Sequence, residues 1–208
     1  MNSVYDTRLF HPFTCIVSGP SGAGKTTLVE KLLKYKDDII TPKPLHVVWA
    51  YSAWQQGYEK WRGELTFVEG IPNLSEVPKE TLLILDDLMV ETDNSITQLF
   101  TKKSHHQNIS VVYIVQNLFG KNKEMRTISL NAHYIALFKN PRDVSQMLIL
   151  GRQMYPNRNK YFQEAYKDAT SRPHGYLLCD LKQSTPDILR LRTNIFLDEG
   201  PEVVYVEK

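Results

Sequence analysis

Residues 19–27 read Gly-Pro-Ser-Gly-Ala-Gly-Lys-Thr-Thr, with Gly19, Gly24, Lys25 and Thr26 at the defining positions of G-x-x-x-x-G-K-[ST]. That composition suits one kind of chemistry, the grip on a polyphosphate. Small residues let backbone N–H groups turn inward around several clustered negative charges. The stretch Gly19, Pro20, Ser21, Gly22, Ala23, Gly24, Lys25, Thr26 and Thr27 is therefore the candidate cradle for ATP. Within it Lys25 reaches the β- and γ-phosphate oxygens, and the Thr26 hydroxyl is placed to hold Mg²⁺.

A second constellation supplies acid. Leu82-Leu83-Ile84-Leu85 is a continuous apolar run that ends in Asp86-Asp87. In phosphate-loop folds a buried strand delivers a carboxylate to the metal at its C-terminal end. Asp86 is the candidate metal-orienting acid, and Asp87 the candidate general base for the attacking water. Gln116 ends the next strand-like run, Val112-Tyr113-Ile114-Val115, where an amide can sense a γ-phosphate and position water. The charge that spreads over a transferring phosphoryl group calls for one more cation, commonly an arginine from a neighbouring subunit. Arg142 and Arg126 are the first candidates, with Arg152 behind them.

These groups work only if strands and helices position them. Phe13 to Val17 is rich in β-formers, and Thr26 to Tyr35 carries apolar residues at helical spacing. Strand, glycine loop, helix is the setting that separates this motif from an ordinary glycine-rich turn. Further strands are predicted at 45–51, 65–68, 81–85, 109–115, 133–138 and 176–181, with a final edge strand at 189–196. Helices are predicted at 93–104, 143–150 and 159–169. Continuous apolar strands alternating with helices indicate an α/β fold of the P-loop NTPase type. Its sheet is mostly parallel, with helices on both faces.

The 208 residues suit one domain, with a core over about 11–182 and a C-terminal strand and tail over 183–208, of which the last residues, Leu197 to Lys208, could pack on a neighbour. A net charge of +2 neither implies nor excludes nucleic acid. Cys15 and Cys179 lie in apolar runs and read as buried thiols in a reducing compartment. No apolar leader or membrane-length segment is evident, so a soluble intracellular protein is expected. His105-His106 lacks further ligands at metal-binding spacing.

The glycine loop also resembles that of guanylate kinases, but residues 37–61 hold no arginine-rich lid. A switch GTPase would need a guanine-reading Asn/Thr-Lys-x-Asp motif, and none is present. The order of motifs is more telling. Glycine loop, Leu-Leu-Ile-Leu-Asp-Asp, Val-Val-Tyr-Ile-Val-Gln-Asn and Asn131-Ala132-His133-Tyr134-Ile135-Ala136-Leu137-Phe138-Lys139 together resemble the genome-packaging ATPases of the FtsK–HerA superfamily. The small forms of poxviruses, Polinton/Maverick elements and virophages are the nearest match, over residues 13–154. Asp87 departs from the glutamate frequent there.

The resemblance implies an ATP-driven motor that translocates double-stranded DNA into a capsid. It implies a homo-oligomeric ring, pentamer or hexamer, at a capsid vertex, working in the nucleus or cytoplasm where virions assemble. DNA would be held by its backbone through basic loops. Candidates are Lys102 to His106, Lys121 to Lys123, and Arg152 to Lys160. Two other readings stay open, a small nucleoside monophosphate kinase and a nucleotide-switched adaptor.

Overall fold

The computed structural model describes residues 5–88, 94–103, 107–120 and 123–207. A nine-stranded sheet runs through them in the order β11-β10-β9-β8-β2-β7-β6-β4-β5. The strands are β2 (Thr14–Ser18), β4 (His46–Tyr51), β5 (Thr66–Glu69), β6 (Thr81–Asp86), β7 (Ile109–Val115), β8 (Tyr134–Phe138), β9 (Tyr176–Asp180), β10 (Leu191–Thr193) and β11 (Val203–Val204). From β5 to β8 every pairing is parallel; β9, β10 and β11 add on antiparallel. Two short strands, β1 (Leu9–Phe10) and β3 (Ile40–Thr41), pair separately.

The central strands are buried along their whole length, which is why they read as unbroken apolar runs rather than as alternation. Alternate residues feed two cores. Cys15, Val17, Leu82, Ile84, Val112 and Ile114 pack on one face with Leu28, Val29, Leu32 and Leu33 of helix α1 (Lys25–Lys34). Ile16, Leu83, Leu85, Val111, Tyr113 and Val115 face the other core. That core is covered by α3 (Asn94–Gln98), α4 (Lys123–Leu130), α5 (Ser145–Met154) and α6 (Asn159–Ala169). A short α2 (Lys36–Ile39) follows α1. The arrangement is the α/β, mostly parallel sheet with helices on both faces that the motif order predicted. Both cysteines are buried, and burial pushes the Cys15 thiol up to about 12 and raises that of Cys179 as well.

Three expectations need correction. The segment 189–196 forms only the three-residue β10, and it is not the edge, because β11 lies outside it. Apart from these, the start of the tail is tied to its own chain, where Asp198 and Glu199 bond Lys31 of α1 at 3.1 and 3.0 Å. The helix expected at 93–104 is α-helical over Asn94–Gln98 and becomes a π-helical turn over Leu99–Lys103; residues 93 and 104 lie outside the described residues. The helix expected at 143–150 is displaced to Ser145–Met154. Asp143 instead accepts the Ser145 N–H and hydroxyl ahead of the first turn.

Candidate nucleotide site

Parallel strands place their C-terminal ends on one side of a sheet, and the loops there form the crevice in which ligands of open α/β folds bind. β2, β7 and β6 are adjacent, so their ends bring together three segments far apart in sequence. Ser21, Gly22, Lys25, Thr26, Asp86, Asp87 and Gln116 line one cleft of about 170 Å³ with Gln55, Ile114 and Val115. The loop is seated on β7 by the Gly19 N–H, which bonds the Val115 carbonyl at 3.3 Å.

Local conformation explains the glycines. Gly24 has φ 104°, and a Cβ there would meet the His174 ring at 2.8 Å; at Gly19 it would meet Phe138 Cβ at 2.7 Å. Gly24 caps α1 without a side-chain bond, and no acid occupies the first turn. The initial amides of the helix and its positive end are thus left for an anion. Lys25 arches back over the loop, its Nζ donating to the Gly19 carbonyl at 2.7 Å and the Pro20 carbonyl at 2.9 Å. Burial lowers its pKa, against the pull of Asp86 and Asp87.

Asp86 is 3 % exposed at the last position of β6. Burial raises its pKa; a hydrogen bond from Tyr58 and the charge of Lys25 work against that, while Asp87 adds to it. Asp87 turns the chain out of the strand with φ 55°, a left-handed conformation that costs a non-glycine residue energy and is found at functional turns. Its side chain is exposed toward the cleft, as is that of Gln116. Thr26, Asp86 and Asp87 form a set of hard oxygen donors. That set fits Mg²⁺, which binds through one or two carboxylates and substrate phosphates. No cluster of three or more histidine, cysteine or acidic residues able to hold a metal exists among the described residues. A cation here would be shared with a phosphate.

On the far side of Gly22 and Ala23 lies a second cleft, of about 400 Å³. It is lined by Phe138, Lys139 and the loop Thr170–Gly175, in which Arg172 and His174 stand exposed. Thr27 is exposed in the first turn of α1 and lines neither cleft.

Lys25 is the only cation among the described residues of the acid-lined cleft. Arg126 on α4, Arg142 beyond β8 and Arg152 on α5 are exposed and line neither cleft. Of the basic loops, residues 104–106, 121 and 122 lie outside the described residues. Arg158 is paired with Glu207, and Lys160 stands 3.8 Å from Glu164.

Sequence reasoning missed Gln55, Tyr58 and the Thr170–Gly175 loop. The aromatic density at 49–67 was the available signal for Tyr58, since a buried tyrosine hydroxyl needs a partner.

No family model matches the chain, and no curated protein is significantly similar to it. Solved structures are. The genome packaging NTPase B204 from Sulfolobus turreted icosahedral virus 2, in complex with sulfate, superimposes with a TM-score of 0.58 at 12 % identity. The match covers 84 % of this chain and 94 % of that one. The same NTPase with AMPPCP and with ATP-gammaS gives TM-scores of 0.55 and 0.54, again at 12 % identity and 84 % coverage of this chain. At that identity the likeness speaks for architecture alone: this chain shares with that NTPase an α/β fold built on a large, mostly parallel sheet with helices.

Proposed function

We propose that this protein is an ATP-hydrolysing motor that moves double-stranded DNA into a viral capsid. One observation carries the reading: a glycine loop, two strand-end acids and a strand-end glutamine converge on one cleft that, among the described residues, contains a single cation, Lys25. The fold shared with genome packaging NTPases supports it.

In this reading the loop amides and the α1 N-terminus hold the phosphates, with the γ-phosphate toward Asp86, Asp87 and Gln116. The nucleoside then points the opposite way, into the cleft lined by Lys139, Arg172 and His174. Lys25 exchanges the Gly19 and Pro20 carbonyls for phosphate oxygens. Thr26 and Asp86 would hold Mg²⁺, which when bound neutralises developing phosphate charge. Water attacks the γ-phosphorus while its proton passes to Asp87. The bond from that phosphorus to the β,γ-bridging oxygen breaks, giving ADP and phosphate. Gln116 orients the water.

Stabilising the spread charge takes more than Lys25 supplies. An arginine from an adjacent subunit completes the site, with Arg142 and Arg126 as candidates, and a ring follows from that need. DNA would be gripped through its phosphates by basic loops, independent of sequence. Capsid vertex proteins are the expected anchor, at sites of virion assembly.

Turnover per subunit, measured against protein concentration with and without duplex DNA, tests this. It is expected to rise with concentration and again with DNA. A rate indifferent to both overturns the motor.

A further inference from the structure

The segment between β4 and β5 carries a hydroxyl that the mechanism above does not use. Tyr58 Oη donates to Asp86 Oδ2 at 2.8 Å, and the tyrosine is 1 % exposed. The residue sits in a 3₁₀ turn, Gln56–Trp61, whose neighbour Gln55 lines the acid-containing cleft.

The ring cannot swing away. It is enclosed by Trp49, Tyr51, Trp54 and Phe67, with ring centroids at 5.1, 5.8, 5.5 and 5.7 Å. The turn itself is tied to the helix that follows the glycine loop: Lys60 Nζ lies 2.8 Å from Glu30 Oε2 on α1. The buried Trp49 Nε1 lies beside the same pair and makes no well-formed bond of its own. A donor clamped this way fixes the plane of a carboxylate, because one oxygen is committed and the direction of the other follows.

From this geometry we infer that Tyr58 is a positioning residue. It holds Asp86 Oδ2 so that the remaining oxygen faces Thr26 and the phosphates, and the turn 56–61 thereby links α1 to the acid of β6. The inference rests on the reading of Asp86 as a partner of Mg²⁺. Supporting partners of metal-ligating groups typically govern affinity by tenfold or more.

Tyr58→Phe keeps the ring and deletes only the hydroxyl. Calorimetric titration with ATP-gammaS, once with Mg²⁺ and once with EDTA, is the test. The variant is expected to bind about tenfold more weakly than wild type with Mg²⁺ and equally well without it. In an Asp86→Asn background, Tyr58→Phe is expected to change neither affinity. Equal losses with and without Mg²⁺ indicate a purely structural tyrosine and overturn the inference. Retention of the full Mg²⁺-dependent affinity overturns it too. A wild-type protein that gains nothing from Mg²⁺ instead overturns the assignment of Asp86, and the inference falls with it.

Discussion

Two clusters of buried charge sit on the same sheet and are built on opposite terms. At the antiparallel edge, Arg192 is 1 % exposed, yet its guanidinium reaches Asp180 at 3.3 Å, Glu202 at 2.8 Å and the Thr7 carbonyl at 2.6 Å. Asp180 in turn accepts from the Lys182 N–H and the Thr185 hydroxyl. In the parallel half, Asp86 is nearly as buried, but its donor is one tyrosine. Lys25, which lines the same cleft, directs its own bonds to backbone carbonyls. One cluster answers each charge with charge from the same chain. The other leaves acid, amides and a lysine ready to exchange partners. Where polar groups are buried and matched they stabilise a fold; where they are buried and half-matched they are available to a ligand.

The sharpest way to break this contrast is Arg192→Leu. Removing one member of a buried ion pair strands the other, at a cost of about 3–5 kcal/mol. Thermal unfolding should report a fall of about 10 °C, given the size of the chain. Turnover per folded molecule should hold at temperatures below the new transition. A variant that melts like wild type would show that the edge cluster contributes little.

Lys25→Ala is the mirror experiment. Loss of one preorganised charge-stabilising donor costs about a hundredfold to a thousandfold in turnover. The melting temperature should barely move, since Lys25 bonds only to loop carbonyls. A large drop in stability with turnover retained would reverse the roles assigned to the two regions.

The smallest expected effect concerns pH. Burial holds the Asp86 carboxyl above the ordinary carboxylate range. A carboxyl with a raised folded pKa binds its proton more tightly in the folded chain. Its burden on stability is therefore absent below the unfolded value near 3.8 and grows as pH climbs through the folded one. In EDTA-treated protein without nucleotide, Asp86→Asn should melt above wild type at neutral pH. The gap should close toward pH 4. A gap constant with pH would mean that the acid is not strained by its surroundings.

Much of this was legible in the residues themselves. The glycine loop, the acids ending Leu82–Leu85 and the glutamine ending Val112–Val115 announce themselves because strand burial and loop chemistry are local. Which strands lie side by side is not local. Nothing in Tyr176–Asp180 says that it runs antiparallel to Tyr134–Phe138, since an apolar run has no visible direction. Arg192 carries no local sign of its burial, because its acids come from 180 and 202 and its carbonyl from residue 7. Tyr58 was hidden for the same reason: β4 neighbours β6 only in the folded sheet, and only then does the turn after β4 lie over Asp86.

The edge cluster has a consequence for the path of the backbone. The Thr7 hydroxyl donates to Glu202 at 2.7 Å, and Arg192 clasps the carbonyl of the one and the carboxylate of the other. Residues 195 positions apart are thus sewn into one seam. A chain joined along this seam and reopened at the exposed Gly63 turn would keep every pairing of the nine-stranded sheet, so that the same architecture would be spelled in a different order.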